Sequence, residues 1–122
     1  MPNYSTSAAP AALYPGDLGF AFNAESPTAP QSSVQFALPA FTGATADQSR
    51  QISWQTSFSA APSAVNVVLQ AADQDVDATY ATVDTSTNVN GERRQVLVRA
   101  RFLRARLVSQ TGSASITVTL AA

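Results

Sequence analysis

Apolar and polar side chains alternate with a period of two residues through most of the chain after residue 33. In residues 51–58, Ile52 and Trp54 share one phase, whereas glutamine and serine fill the other. This alternation is typical of strands that have one buried and one solvated face. Similar runs begin at Val34, Val65, Val96 and Ile116. The alanines show no helical spacing, so the sequence predicts an all-β fold, an antiparallel β-sandwich or jelly roll.

The longest predicted strand covers residues 95–108 and changes phase partway along. Its apolar side chains keep one phase up to Phe102 and take the other from Leu103 onward. Such a slip is typical of a β-bulge or a bend, so we expect one long strand or a bent pair of strands. A further strand is predicted at residues 79–85. The Asn90-Gly91 dipeptide predicts a tight turn between that strand and the long one.

All seven prolines lie at or before Pro62, and five of them fall within residues 1–33. Proline removes a backbone donor, and this segment is also rich in Ala, Ser and Thr. The composition predicts an extended N-terminal arm over residues 1–33, followed by a sandwich domain over residues 34–122. We expect the arm to lie on another surface through its large apolar side chains, Leu13, Tyr14, Leu18, Phe20 and Phe22. The last three also alternate, so a first strand in the domain's own sheet stays an open alternative.

Three residue types that carry much of enzyme chemistry are missing, because the sequence has no Cys, no His and no Lys. This excludes thiol nucleophiles, disulfides, the Ser–His–Asp triad, imidazole metal sites and lysine Schiff bases. The carboxylates show no pair that is marked as buried. We therefore predict a protein that is not an enzyme and uses no cofactor.

An acidic run has the spacing of a calcium loop but lacks two of its defining residues. Asp73, Asp75 and Asp77 follow a D-x-D-x-D pattern, and Asp84 falls at the twelfth position. Ala78 replaces the glycine needed at position six, and the twelfth position lacks the bidentate glutamate. We predict a solvated hairpin loop and no metal site.

Six of the seven arginines lie between Arg93 and Arg106. Four of them form a predicted ladder on the polar side of the long strand: Arg99, Arg101, Arg104 and Arg106. They can pair with the acidic run and Asp84 of the same molecule, with carboxylates of a neighbouring protein, or with phosphates. Nucleic acid is disfavoured, because the net charge is −1 and the pI is about 5.0. We expect the ladder and the acidic run to form a charged interface.

The aromatic residues offer one candidate for sugar binding. Trp54 lies in the buried phase with Ile52 and Phe58, so it is predicted to be part of the core. Tyr80 follows the acidic run and is the better candidate for an exposed sugar platform, with a half-buried strand aromatic as the alternative. No apolar run approaches the roughly 20 residues that span a membrane, and residues 1–16 lack a basic leader. We expect synthesis in a cytoplasm and no contact with a membrane.

From Val65 to Leu120, the order of sequence features resembles the small β-sandwich structural proteins of tailed bacteriophages, notably head decoration or cement proteins. A strand at residues 65–70 is followed by the Asp-rich hairpin, a strand at residues 79–83 and the Asn-Gly turn. An arginine-aromatic strand at residues 99–104 and a Ser/Thr-rich closing strand complete the order.

The resemblance implies a virion protein that binds the outer surface of an assembled shell and bridges capsid subunits. Its partners would be the major capsid protein or other virion proteins, and it would form a homo-oligomer, with a trimer as one option. The resemblance implies no catalytic residues. The alternative function is a tail or fibre module that recognises a host surface glycan.

Overall fold

The computed structural model describes residues 11–14, 16–38, 50–112 and 114–122. This part of the chain forms ten strands and one short 3-10 turn at Asp77–Thr79. The strands are β1 (Ala11–Ala12), β2 (Leu18–Glu25), β3 (Gln31–Ser32), β4 (Phe36–Ala37), β5 (Arg50–Phe58), β6 (Ala64–Ala72), β7 (Ala81–Ser86), β8 (Glu92–Val98), β9 (Phe102–Thr111) and β10 (Ile116–Ala121). No helix in the described residues is long and apolar enough to cross a membrane. The sequence also predicts a polar loop around Gly43 at residues 40–50, and most of it lies outside the described residues.

The strands lie in two sheets. The larger sheet has the order β1-β4-β9-β6-β7, with β3 also paired to β9, and the smaller sheet has the order β2-β10-β5-β8. The short β1–β4 pair is parallel, and the other strand pairs are antiparallel. Consecutive strands β7 and β8 belong to different sheets, so the chain crosses from one layer to the other at that edge.

The core lies between the inner faces of the two sheets. Ile52 and Trp54 of β5 pack from one side and Val67 and Leu69 of β6 from the other, all at most 1% exposed. The other inward side chains of β6 and those of β9 and β10 are buried too: Val65, Ala71, Leu103, Ala105, Leu107, Ile116, Val118 and Leu120. Each large apolar side chain buried in this way stabilises the fold by about 1.5–3 kcal/mol. The prediction of an all-β sandwich is confirmed.

The N-terminal segment, where described, belongs to the sandwich. Residues 18–25 form β2, which pairs with β10 along one edge of the smaller sheet. β3 and β4 pair with β9 in the larger sheet, so the expected division between residues 33 and 34 separates no structural units. The arm interpretation is corrected for the described residues 11–14 and 16–33, because backbone pairing places them in the chain's own sheets. Residues 1–10 lie outside the described part.

A β-bulge in β2 decides which side chains of this strand are buried. Phe20 pairs with Thr119 and Phe22 pairs with Val118, so Ala21 is an extra residue in β2. An extra residue reverses the face of the sheet towards which each later side chain of the strand points. Phe20 therefore faces outward and Phe22 faces inward, although their spacing in the sequence places them on one face.

The five residues predicted to bind another surface are consequently divided. Leu13 is 2% exposed and Phe22 is fully buried, and both pack in the chain's own core. This corrects their predicted role as interface residues. Tyr14, Leu18 and Phe20 remain 56%, 59% and 46% exposed.

The long strand predicted at residues 95–108 is two strands in different sheets, β8 and β9. Residues 99–101 connect them, and the amide of Arg101 donates to the carbonyl of Ala72 at 3.1 Å while its carbonyl accepts from Leu38 at 2.7 Å. The phase slip at residues 102–103 thus marks a crossing between layers. Periodicity does not distinguish a crossing from a bulge, because both reverse the phase.

The predicted tight turn at Asn90-Gly91 is confirmed. Gly91 has a φ of 78°, and its amide donates to the Asn88 carbonyl at 3.0 Å. We expect Gly91→Ala to lower the free energy of unfolding by about 1–3 kcal/mol, because a side chain is strained in this left-handed conformation. The new Cβ would also meet the carbonyl oxygen of Thr56 on β5. Urea denaturation measures the loss.

A matched control separates backbone strain from that contact. Gly16 also has a positive φ, 90°, but a Cβ there would meet nothing within 4 Å. Gly16→Ala should therefore cost less than Gly91→Ala. Equal losses would show that the approach of the turn to β5 contributes nothing.

Candidate functional site

A charged cluster, the Arg104 cluster, covers the outer face of the larger sheet. It consists of Arg104 and Gln70, Asp77 and Tyr80 around it. The Arg104 side chain is only 3% exposed, and it donates to Asp77 Oδ1 at 2.7 Å and to Gln70 Oε1 at 2.8 Å. Its guanidinium carbon lies 4.1 Å from the centre of the Tyr80 ring, a cation–π contact. Arg104 thus holds the acidic loop against the sheet.

Asp75 extends this cluster from the same loop. It accepts hydrogen bonds from the Tyr80 hydroxyl at 2.8 Å and from Gln35 Nε2 at 3.0 Å. Gln35 is 2% and Tyr80 8% exposed. The structure therefore contradicts a role for Tyr80 as an exposed sugar platform, because its ring is covered by Arg104 and its hydroxyl is engaged.

Burial raises the pKa of Tyr80 above its ordinary value, and the hydrogen bond to Asp75 raises it further. A phenol whose pKa is raised on folding stabilises the fold below its unfolded pKa of about 10, and that stabilisation is lost as the pH rises above it. We expect one of the three tyrosines to ionise later than the others in an ultraviolet titration. Tyr80→Phe should remove that late step, and a late step that persists in the variant would contradict the assignment.

A second group, the Asp84 cluster, joins the two sheets at the β7–β8 edge. Asp84 on β7 accepts from Arg94 Nε at 2.9 Å and Arg94 Nη2 at 3.0 Å, and from the Trp54 indole at 2.9 Å. Glu92 Oε1 accepts from Ser86 Oγ at 2.7 Å and lies 3.3 Å from Arg94. Partial burial alone would raise the pKa of Asp84, but the hydrogen bonds from Arg94, Trp54 and the Thr85 amide hold it below its usual range.

The predicted ladder of four arginines on one strand does not form, because only Arg104 and Arg106 share the outer face of one strand, β9. Arg99 and Arg101 lie on the exposed connection between the sheets, and Arg104 lies in the cluster described above. Arg106 Nη1 donates to Ser32 Oγ at 2.7 Å and so fastens β3 to β9. Pairing within the molecule, one of the three interpretations left open, accounts for Arg104. An interface role for Arg99 and Arg101 stays a prediction.

The three aspartates of the acidic run have separate surroundings. Asp75 and Asp77 have different partners in the Arg104 cluster, and Asp73 is exposed. Among the described residues, no three side chains of the metal-binding types are gathered around one point. In the two clusters, Asp75, Asp77 and Asp84 each fix a loop or a strand through hydrogen bonds from side chains of the same chain.

The outer face of the smaller sheet was not recognised from the sequence. Strand pairing places Phe20, Thr119, Gln55 and Arg93 in one row across its four strands. The next row holds Leu18, Ala121, Ser53 and Gln95, and Leu97 lies beyond it opposite Gln51. Leu97 is 68% exposed, more than Leu18 or Phe20. Alternation alone could have indicated an outward Leu97, but the rows depend on the strand order.

Comparison with known proteins gives one informative result. No protein-family model matches the sequence, and a search of curated proteins finds no significant match. The crystal structure of the SPBc2 prophage-derived protein YomS is similar, with a TM-score of 0.53 over 85% of this chain and 92% of that chain. The two sequences are 14% identical in the aligned region, so the likeness is one of fold.

Proposed function

We propose that this chain is a non-catalytic structural protein of a phage particle, of the type that binds and stabilises the assembled head. The fold it shares with a prophage-derived protein supports a phage origin. Its charged clusters support a structural role, because their carboxylates pair with arginine, tryptophan and tyrosine side chains inside the fold. A rigid two-layer body of this kind suits a subunit that is held in place by its neighbours.

The observation that carries the proposal is the exposure of large apolar side chains at the N-terminal edge of the smaller sheet. Leu18 and Phe20 project from β2, and Tyr14 is exposed just before it. Each such side chain contributes about 1.5–3 kcal/mol when it is fully buried against a partner. Several linked copies on one shell would dissociate slowly. A copy that loses its contact is held near its site by the other copies and rebinds.

The test is to locate the chain on particles of a phage that encodes it. We expect mass spectrometry of purified particles to detect the chain and gold-labelled antibodies to decorate the head surface at regular intervals. Particles that lack the chain should release their DNA at a lower temperature than complete ones. Absence of the chain from purified particles would contradict the proposal.

Labelling of the tail tip or fibres would instead favour the glycan-recognition alternative. The burial of Tyr80 removes the side chain that the sequence offered for that role. The head-binding function is therefore the better supported of the two.

A further inference from the structure

We propose that the outer face of the smaller sheet binds a second copy of this chain, with β2 of each copy lying over β8 of the other. This rests on the proposed function and assigns Leu18 and Phe20 to contacts between neighbouring copies on the shell, which leaves Tyr14 of the exposed N-terminal side chains for the shell itself. The two copies would be related by a two-fold axis parallel to the strands. Such an interface is self-complementary, because each contact occurs twice.

The two sheets differ in how their outer faces are covered. On the larger sheet, the chain's own acidic loop covers the part of the outer face around Arg104, where Tyr80 is 8% and Arg104 3% exposed. On the smaller sheet, the outward side chains of β2 and β8 and most of those of β5 are exposed, and no other segment of the described chain is bonded across them. The smaller sheet therefore presents the open face.

The chemistry of this face suits a second copy. Its centre consists of neutral side chains from β10 and β5, namely the short Thr119, Ala121 and Ser53 and the longer Gln51 and Gln55, so no charge there opposes the approach of a second sheet. Its one formal charge among the rows described above is Arg93. Two such faces do not repel each other unless their arginines are brought together.

The strand order decides the orientation. Phe20 and Arg93 lie in the same row at opposite edges of the sheet, three strand spacings or about 14 Å apart. Rotation about an axis parallel to the strands exchanges the two edges. It places Arg93 of each copy over Phe20 of the other, as a cation–π pair, and keeps the two arginines apart. The exposed Leu18 is brought towards Leu97 of the other copy in the same way.

The size of the face sets the expected affinity. Four strands about 4.8 Å apart and about 3.4 Å per residue give a face on the order of 500 Å² per copy. A total near 1,000 Å² is at the low end of specific interfaces. We expect a dimer that dissociates in the micromolar range, which local crowding on a particle would keep associated.

Sedimentation velocity over a range of concentrations tests the proposal with charge variants. We expect Phe20→Arg to weaken the dimer at least tenfold, because it places two positive charges opposite each other. Arg93→Glu alone should weaken it several-fold. The double variant Phe20→Arg/Arg93→Glu should restore the dimer to within a few-fold of the parent, because the opposite charges then meet between copies and are too far apart to meet within one copy.

The matched control is Val83→Arg on β7 of the larger sheet, at a side chain that is 39% exposed. It should leave the association unchanged, and circular dichroism confirms the fold of every variant. A chain that stays monomeric at hundreds of micromolar would overturn the proposal. So would a dimer that Phe20→Arg leaves unchanged, or one that the double variant fails to restore.

A second measurement uses the absence of cysteine from the sequence. Phe20→Cys and Arg93→Cys chains are prepared separately, mixed and treated with a short bis-maleimide. We expect a cross-linked dimer in the mixture and little in either chain alone. Equal cross-linking within each separate population, with none gained by mixing, would contradict the arrangement. Sedimentation and cross-linking test the dimer in solution, whereas labelling tests the location of the chain on particles. Either proposal can therefore fail while the other stands.

Discussion

Phe22→Ala is expected to lower the free energy of unfolding by about 3–5 kcal/mol, whereas Phe20→Ala changes it by less than about 0.5 kcal/mol. Phe22 is fully buried in the core, and its truncation removes apolar contacts and leaves a cavity. Phe20 is 46% exposed on the other side of the same strand, where substitutions have small effects. Chemical denaturation of the two variants measures the difference.

The comparison is informative because the two positions share residue type, strand and spacing. A free arm that orders only on a partner would give two small effects in the isolated chain. A regular strand without the bulge would give two effects of similar size. A large asymmetry is expected only if Ala21 is the extra residue that reverses the phase. Leu13→Ala, at a second buried position, should cost about 2–5 kcal/mol.

The strands after residue 33 could be predicted from the alternation of apolar and polar residues, because a strand with one buried and one solvated face has a period of two residues. The inward phases of β5, β6 and β10 are those that the sequence indicates. Alternation does not reveal which strands are neighbours, since this depends on contacts between distant residues. The crossing at residues 99–101 and the rows of the smaller sheet were therefore inaccessible from the sequence.

The N-terminal segment illustrates a second limit. Its proline-rich composition favours an extended chain, and an extended chain is compatible with both an arm and an edge strand. Backbone pairing with β10 selects the strand, and the bulge then divides its apolar residues between core and surface. The sequence does not mark the position of the bulge, because alanine is frequent in residues 1–33 and is not specific to bulges.

The charged clusters could be predicted only in outline. Pairing of arginines with the acidic run and Asp84 was one of the open interpretations, and Arg104 and Arg94 both make such pairs. The Trp54 indole could not be assigned to Asp84, because the two residues lie on different sheets. A tryptophan in a buried phase does indicate that its N–H needs an acceptor nearby.

Asp84→Ala is the second substitution with a large expected effect, a loss of about 2–4 kcal/mol in the free energy of unfolding. The Asp84 side chain is 14% exposed, so its removal leaves Arg94 without its bidentate partner and the buried indole of Trp54 without an acceptor. Orphaning the buried indole donor costs about 1–3 kcal/mol, and the ion pair adds less, because Arg94 is 39% exposed and keeps its contact with Glu92. Denaturation followed by the fluorescence of Trp54, the one tryptophan, measures the loss.

The pH dependence of the free energy of unfolding tests whether the negative charge of Asp84 contributes to this loss. The pKa of Asp84 is lowered in the folded state, so its charge stabilises the fold above the unfolded pKa of about 3.9. That contribution is lost as the pH falls through the lower folded pKa. Asp84→Asn keeps an acceptor for the indole but removes the charge, so it should cost less than Asp84→Ala at neutral pH. The difference between the parent and Asp84→Asn should be constant above about pH 5 and shrink below pH 4. A difference that does not change with acidification would show that the carboxylate charge does not hold the two sheets together at this edge.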